Sequence, residues 1–132
     1  MQQLIYVSYA SDDFQSGDVF KIIETSARNN PTRDVTGFLV YAHDTFVQFV
    51  EGPAASLDAL LDDLKADSRH ERLEVLERRE GRGRCFPNWR MERLAVSGGD
   101  ARILEQKLRQ TEISQATIAR LVETIMTPRM AA

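Results

Sequence analysis

The sequence predicts an α+β fold: a ferredoxin-like βαββαβ sheet with an added fifth strand and two C-terminal helices covering the other sheet face. Three observations carry this reading. Residues 35–52, VTGFLVYAHDTFVQFVEG, hold two apolar runs around Ala42, His43 and Asp44, the pattern of a β-hairpin. In the second run, alternation puts Phe46, Gln48 and Val50 on one face and Val47 and Phe49 on the other. Both faces are apolar, so this strand is central and covered on both sides. Apolar stripes at helical spacing on either side of the hairpin, and again near the C-terminus, supply the cover.

The elements follow in order. Residues 4–9 (LIYVSY) form strand 1, with Leu4, Tyr6 and Ser8 on one face and Ile5, Val7 and Tyr9 on the other. Ser16 is an N-cap for a helix carrying Val19, Ile22, Ile23 and Ala27. That helix stops at Arg28, Asn29, Asn30 and Pro31, because asparagine tolerates the left-handed C-cap and proline cannot continue the helix. The hairpin supplies strands 2 and 3. After Gly52 and Pro53, Ser56 caps a second helix whose stripe is Leu57, Leu60, Leu61 and Leu64, ending near residues 67–70. Residues 73–80 form strand 4, alternating Leu73, Val75 and Glu77 against Glu74, Leu76 and Arg78. Residues 81–84 (GRGR) turn the chain, and residues 89–96 form the fifth strand. Ser97, Gly98 and Gly99 mark a joint. Beyond it, Ile103, Leu104 and Leu108 indicate a third helix, and Ile118, Leu121, Val122 and Ile125 a fourth, with Ser114 near its start and Pro128 after its end. The expected division is a domain over residues 1–96 and a helical extension, 97–132, packed on it.

The totals exclude several classes of function. A chain of 132 residues with 42% hydrophobic and 28% charged residues is sized for one domain with a real core. A net charge of −3 gives no support to nucleic-acid or anionic-membrane binding. No apolar run approaches a membrane span, and no basic-then-apolar signal opens the chain. A single cysteine, Cys85, excludes an intramolecular disulfide and agrees with a cytoplasmic setting. Two histidines and one cysteine do not make a zinc set, so no metal is expected. The sequence has no G-x-S-x-G, Walker, G-x-G-x-x-G or H-E-x-x-H signature, and an enzyme is not expected.

The candidate chemistry centres on Gln48. An amide in the middle of a buried face costs a few kcal/mol unless something satisfies it. In a ferredoxin-like sheet the first and third strands are central neighbours, which brings Tyr6 toward Gln48. A tyrosine–glutamine hydrogen bond kept for packing is one account of the pair. Asn29 and Asn30 terminate a helix, and Asn30 also has the amide to pair with a heterocycle bearing carbonyl and imide groups. Arg69 and His70 are loop residues that would also suit an anionic ligand tail. Trp89 and Met91 share a strand face, where core filling is the ordinary role.

In chain order these residues lie within LIY (4–6), RNNP (28–31), TGFLVY (36–41), FVQFVEGP (46–53), DSRH (67–70) and FPNWRM (86–91). Over about residues 2–96 the set resembles the BLUF family, blue-light sensors that use flavin adenine dinucleotide. The resemblance implies a flavin ring between two helices, with FAD as the cofactor and FMN or riboflavin as substitutes. It makes Tyr6 the electron and proton donor and Gln48 the amide between tyrosine and flavin. Asn30 would bond the carbonyl and imide edge beside Asn29. Ile22, Asp67, Arg69 and His70 fall at flavin-binding positions, and Ser8 where some members bond the tryptophan. Trp89 and Met91 occupy the switch segment. In the family, light drives an electron and a proton from tyrosine to flavin, and their return leaves the glutamine rearranged and the spectrum slightly red-shifted.

Three residues depart from the family pattern. Arg90 replaces the serine of W-S-M, Asp63 stands where several members have a basic residue, and Asp34 replaces a common glycine, an expected surface change. The implied function is a short, stand-alone photoreceptor acting on a downstream effector protein in trans and forming a homo-oligomer. Rearrangement at Gln48 is expected to shift Trp89 and Met91, and the fifth strand to pass this to the C-terminal helices. A flavin-free ferredoxin-like interaction module and a small enzyme are the rival classes, separable by colour and by turnover in the dark.

Overall fold

The structure is a computed structural model. It describes residues 1–10, 34–42, 45–66, 70–88, 90–94 and 101–126, with backbone alone for residues 10, 70, 71 and 90–94. Its elements are β1 (Gln2–Ala10), β2 (Thr36–Ala42), β3 (Thr45–Gly52), α1 (Ala54–Ala66), β4 (His70–Glu80), β5 (Arg90–Leu94), α2 (Arg102–Leu108) and α3 (Gln115–Met126). The helix expected after Ser16 lies outside the described residues.

The sheet order is β4-β1-β3-β2-β5, with β1 and β3 at its centre as the split pattern requires. β1–β3, β1–β4 and β2–β3 are antiparallel, while the added β5 joins β2 in parallel. Ala42 pairs with Thr45, so the hairpin connection is residues 43–44.

Each sheet face has its own core. Leu4, Tyr6, Leu39, Phe46 and Val50 pack under Leu57, Leu60, Leu61 and Leu64 of α1. On the opposite face, Ile5, Val7, Phe38, Val40, Val47 and Phe49 pack with Leu104 and Leu108 of α2 and Ile118, Leu121 and Ile125 of α3. The alternation expected for β1 and β3 is the observed one. The C-terminal helices do cover the second face, although Ile103, expected in their stripe, is 39% exposed. Phe86 enters this core from the β4–β5 connection and meets Phe38 and Phe49 edge-on, at centroid distances of 5.5 and 5.8 Å.

Two expectations are corrected. Ser56 does not cap α1: the helix begins at Ala54, and the Pro53 carbonyl accepts the amides of Ser56 and Leu57, so Ser56 lies within the first turn. The plain alternation expected for β4 also fails. Ile5 pairs with Glu77 but Tyr6 with Val75, and Val7 pairs with Glu74 but Tyr9 with Glu71. Each shift inserts one extra residue in β4, a β-bulge, and reverses which residues face which side. Arg72, at the second bulge, has φ of 49° and lies over the Tyr9 ring at 4.9 Å. As a result Glu77 joins Glu74 and Leu76 toward α3, and Arg78 points toward α1, where it binds Asp58 and the Ala54 carbonyl.

Candidate functional site

β1 and β3 are paired so that Tyr6 stands directly opposite Gln48, and Ser8 opposite Phe46. Opposed residues of an antiparallel pair project to the same face with their Cβ atoms roughly 5 Å apart. Tyr6 and Ser8 are 0% exposed and Gln48 is 1% exposed. Their surroundings are the apolar side chains of the α1 face. A phenol hydroxyl, an amide and a serine hydroxyl therefore share one buried, otherwise hydrocarbon face. That set offers both donors and acceptors, which is the chemistry that the carbonyl and imide groups of a planar heterocycle require. The residues present fit a flavin.

The other expected site residues are placed less fully. Ile22, Asn29, Asn30, Asp67, Arg69 and Trp89 lie outside the described residues. His70 opens β4 opposite Ala10, at the same end of β1 as Ser8. Met91 lies in β5. Asp63 is exposed on α1. Asp34 has φ of 60°, the left-handed region where glycine is free and aspartate is tolerated. Its side chain is on the surface as expected, but its carbonyl and carboxylate both receive the Arg84 guanidinium, so the change is not a passive one.

A second polar group was missed at the level of sequence. Gln3 and Glu51 are also directly opposed across β1 and β3, are both 0% exposed, and face the C-terminal helices. The Glu51 carboxylate accepts the amides of Cys85, at 2.7 and 3.0 Å, and of Phe86, at 2.8 Å. Gln3 donates its amide to Cys85 Sγ at 3.6 Å and accepts the Glu112 amide at 2.9 Å. Burial pushes the Cys85 thiol pKa up, and the charges of Glu51 and Glu112 add to this against the Gln3 bond. The available signal was a carboxylate inside FVQFVEG, a run whose two faces are otherwise apolar apart from Gln48.

A family described as "Sensors of blue-light using FAD", BLUF, matches residues 1–92. The chain belongs to the BLUF family. The BLUF domain is a light-sensing domain rather than a catalytic one, and the family works through a flavin. Among curated relatives, photoactivated adenylate cyclase subunit beta of Euglena longa is 31% identical over 94 residues, 70% of this chain and 11% of that protein. Subunit alpha of Euglena gracilis is 30% identical over 94 residues, 9% of its length. The chain thus spans only a small part of the curated relatives it matches. Among solved structures, the BLUF protein BlrB in its dark state is 30% identical with a TM-score of 0.72, covering 95% of this chain and 94% of that one. Klebsiella pneumoniae BlrP1, in a complex with calcium and cyclic diGMP, has a TM-score of 0.76 at 23% identity, covering 95% of this chain and 33% of that one, and shows the shared fold. BLUF domains thus have the α+β, ferredoxin-like arrangement found here. Among the described residues no helix is long and apolar enough to cross a membrane.

Proposed function

We propose that this BLUF chain is a photoreceptor whose signal starts at Tyr6 and Gln48 and is delivered to a partner protein in trans. The observation that carries the reading is the burial of Tyr6 directly opposite Gln48 on the α1 face. A bound flavin supplies blue-light absorption and, once excited, a strong pull on an electron. Tyr6 is the group that gives up an electron and its hydroxyl proton and takes both back. Gln48 lies between, holding a donor end and an acceptor end, and the return leaves those ends exchanged. The exchange changes the hydrogen bonds offered to the chromophore and shifts its spectrum to the red until they relax in the dark. Burial keeps water from competing for either group.

FAD is the proposed flavin, with FMN or riboflavin as substitutes. Ser8, Ile22, Asn29, Asn30, Asp67, Arg69 and His70 are the proposed holding residues. Residues 1–96 form the sensing domain and 97–132 the extension that reads it. Trp89 and Met91 carry the change into that extension, which then biases binding to an effector or to a second copy.

The test is a visible spectrum of the purified protein before and after blue light, followed through the dark. A flavin spectrum that shifts red and recovers supports the reading. Gln48→Leu is expected to keep the flavin and lose the shift; a normal photocycle in that variant refutes the role given to Gln48. No flavin even after reconstitution would return Gln48 to being a packed structural amide.

A further inference from the structure

β1 and β3 carry two buried polar pairs, each made of directly opposed residues: Tyr6 with Gln48, and Gln3 with Glu51. On each strand the pairs are three residues apart, so they lie on opposite faces, roughly 10 Å apart along the strands. The first pair faces α1. The second faces the C-terminal helices and grips two separate pieces of chain. Glu51 holds the Cys85 and Phe86 amides, just before β5, while the Arg84 guanidinium binds the Glu51 carbonyl and Thr36 Oγ1. Gln3 joins this segment to the turn between α2 and α3 through Cys85 Sγ and the Glu112 amide. Residue 49, next to Gln48, points the same way as Glu51 and packs its ring against Phe86.

A continuous chain of contacts therefore runs from β3 to the α2–α3 turn. Glu51 accepts from the Cys85 amide, Cys85 Sγ accepts from Gln3, and the Gln3 carbonyl accepts from Glu112. Every link joins elements distant in sequence. A fully buried carboxylate is retained in a strand only where its lone pairs are engaged, and here two backbone amides engage them.

We propose that Gln3 and Glu51 are positioning residues that couple the sheet centre to the α2–α3 turn, so that rearrangement at Gln48 reaches α3 through them. The proposal rests on the reading of Tyr6 and Gln48 as the photochemical pair. It adds a route through the sheet to the one through β5. A small tilt of β3 at residue 48 displaces Phe49 and Glu51 together, and the Gln3 bridge passes this to the Glu112 amide.

The experiment is hydrogen–deuterium exchange of the full chain in the dark and under blue light, with the visible spectrum recorded on the same samples. The expected result is a light-induced change of about fivefold in exchange at residues 112–118, the effect of weakening one ordinary hydrogen bond. Gln3→Leu removes both Gln3 bonds. It is expected to keep the red shift but to abolish the light–dark difference at residues 112–118. Glu51→Gln, which leaves one acceptor for two amides, is expected to reduce that difference while preserving the fold. Arg120→Ala, on α3, breaks an exposed ion pair to Glu74 of β4 and serves as the control that keeps the difference. A wild-type light–dark difference that persists in Gln3→Leu overturns the proposal, as does a red-shifting wild type with no difference at 112–118. A wild type without a red shift would instead remove the photochemical reading, and the relay with it.

Discussion

Glu77 offers the most direct test of how α3 is held to the sheet. Its side chain, 17% exposed, stands on β4 beside a bulge and accepts three donors at the start of α3. These are the Ser114 amide at 3.0 Å, Ser114 Oγ at 2.6 Å and Thr117 Oγ1 at 2.7 Å. A hydrogen bond to a charged group contributes about 1.5–3 kcal/mol, but three donors sharing one partly exposed carboxylate are not additive. Glu77→Ala is therefore expected to cost about 2–3 kcal/mol at pH 7, and roughly 6–12 °C in Tm for a chain of this size. Helix content should survive, because Ser114 Oγ still accepts the Thr117 amide.

The pH dependence of this loss is fixed in sign. Burial alone would raise the Glu77 pKa, but the Ser114 and Thr117 bonds and the Arg79 charge outweigh it, and the net shift is downward. A carboxylate with a lowered native pKa contributes in full above its unfolded value of about 4.3, and its contribution is lost as pH falls through the native value. The stability gap between wild type and variant should thus be constant from pH 7 to about 5 and narrow as pH falls below the unfolded value toward the lower native one. Thermal melts at matched flavin saturation measure it, since bound ligand would otherwise shift Tm by mass action. A gap under about 0.5 kcal/mol at pH 7, or one unchanged at pH 3, would refute the reasoning.

Phe86→Ala should cost about 3–5 kcal/mol in denaturant unfolding, since it removes a ring packed edge-on to both Phe38 and Phe49. Gly37→Ala should yield little folded protein on expression, because its Cβ would lie 2.0 Å from the Phe49 carbonyl oxygen, backbone that cannot move without breaking the hairpin. At Asp34, with φ of 60°, substitution by glycine should be at least 1 kcal/mol better tolerated than by alanine in the same unfolding assay, because only alanine meets the left-handed steric penalty.

Much of the arrangement was legible from local pattern. Alternation along β1 and β3 assigned Tyr6, Ser8 and Gln48 to one face, because the side-chain period of a strand is two and a central strand tolerates no slip. The Leu57, Leu60, Leu61 and Leu64 stripe likewise assigned α1. β4 was legible as a strand, but its facing was not, because a bulge leaves no mark in composition. The same eleven residues fit a regular strand until the register against β1 is known, and the residue inserted between Val75 and Glu77 puts those two on opposite faces. Glu51 and Gln3 were passed over for a related reason. Their partners are the Cys85, Phe86 and Glu112 amides, and a backbone amide carries no sequence signal.

By itself, then, the sequence determined the strand and helix inventory over the described residues, the two-sided burial of β3 and the polar identity of its buried positions. These follow from periodicity and residue chemistry, which act locally. Only the tertiary structure decided that Tyr6 opposes Gln48 and that Gln3 opposes Glu51, because register is set by pairing between strands some forty residues apart. It also decided that Glu77 anchors α3. That contact exists only because a bulge turns the carboxylate toward a helix that the chain reaches after β5 and α2.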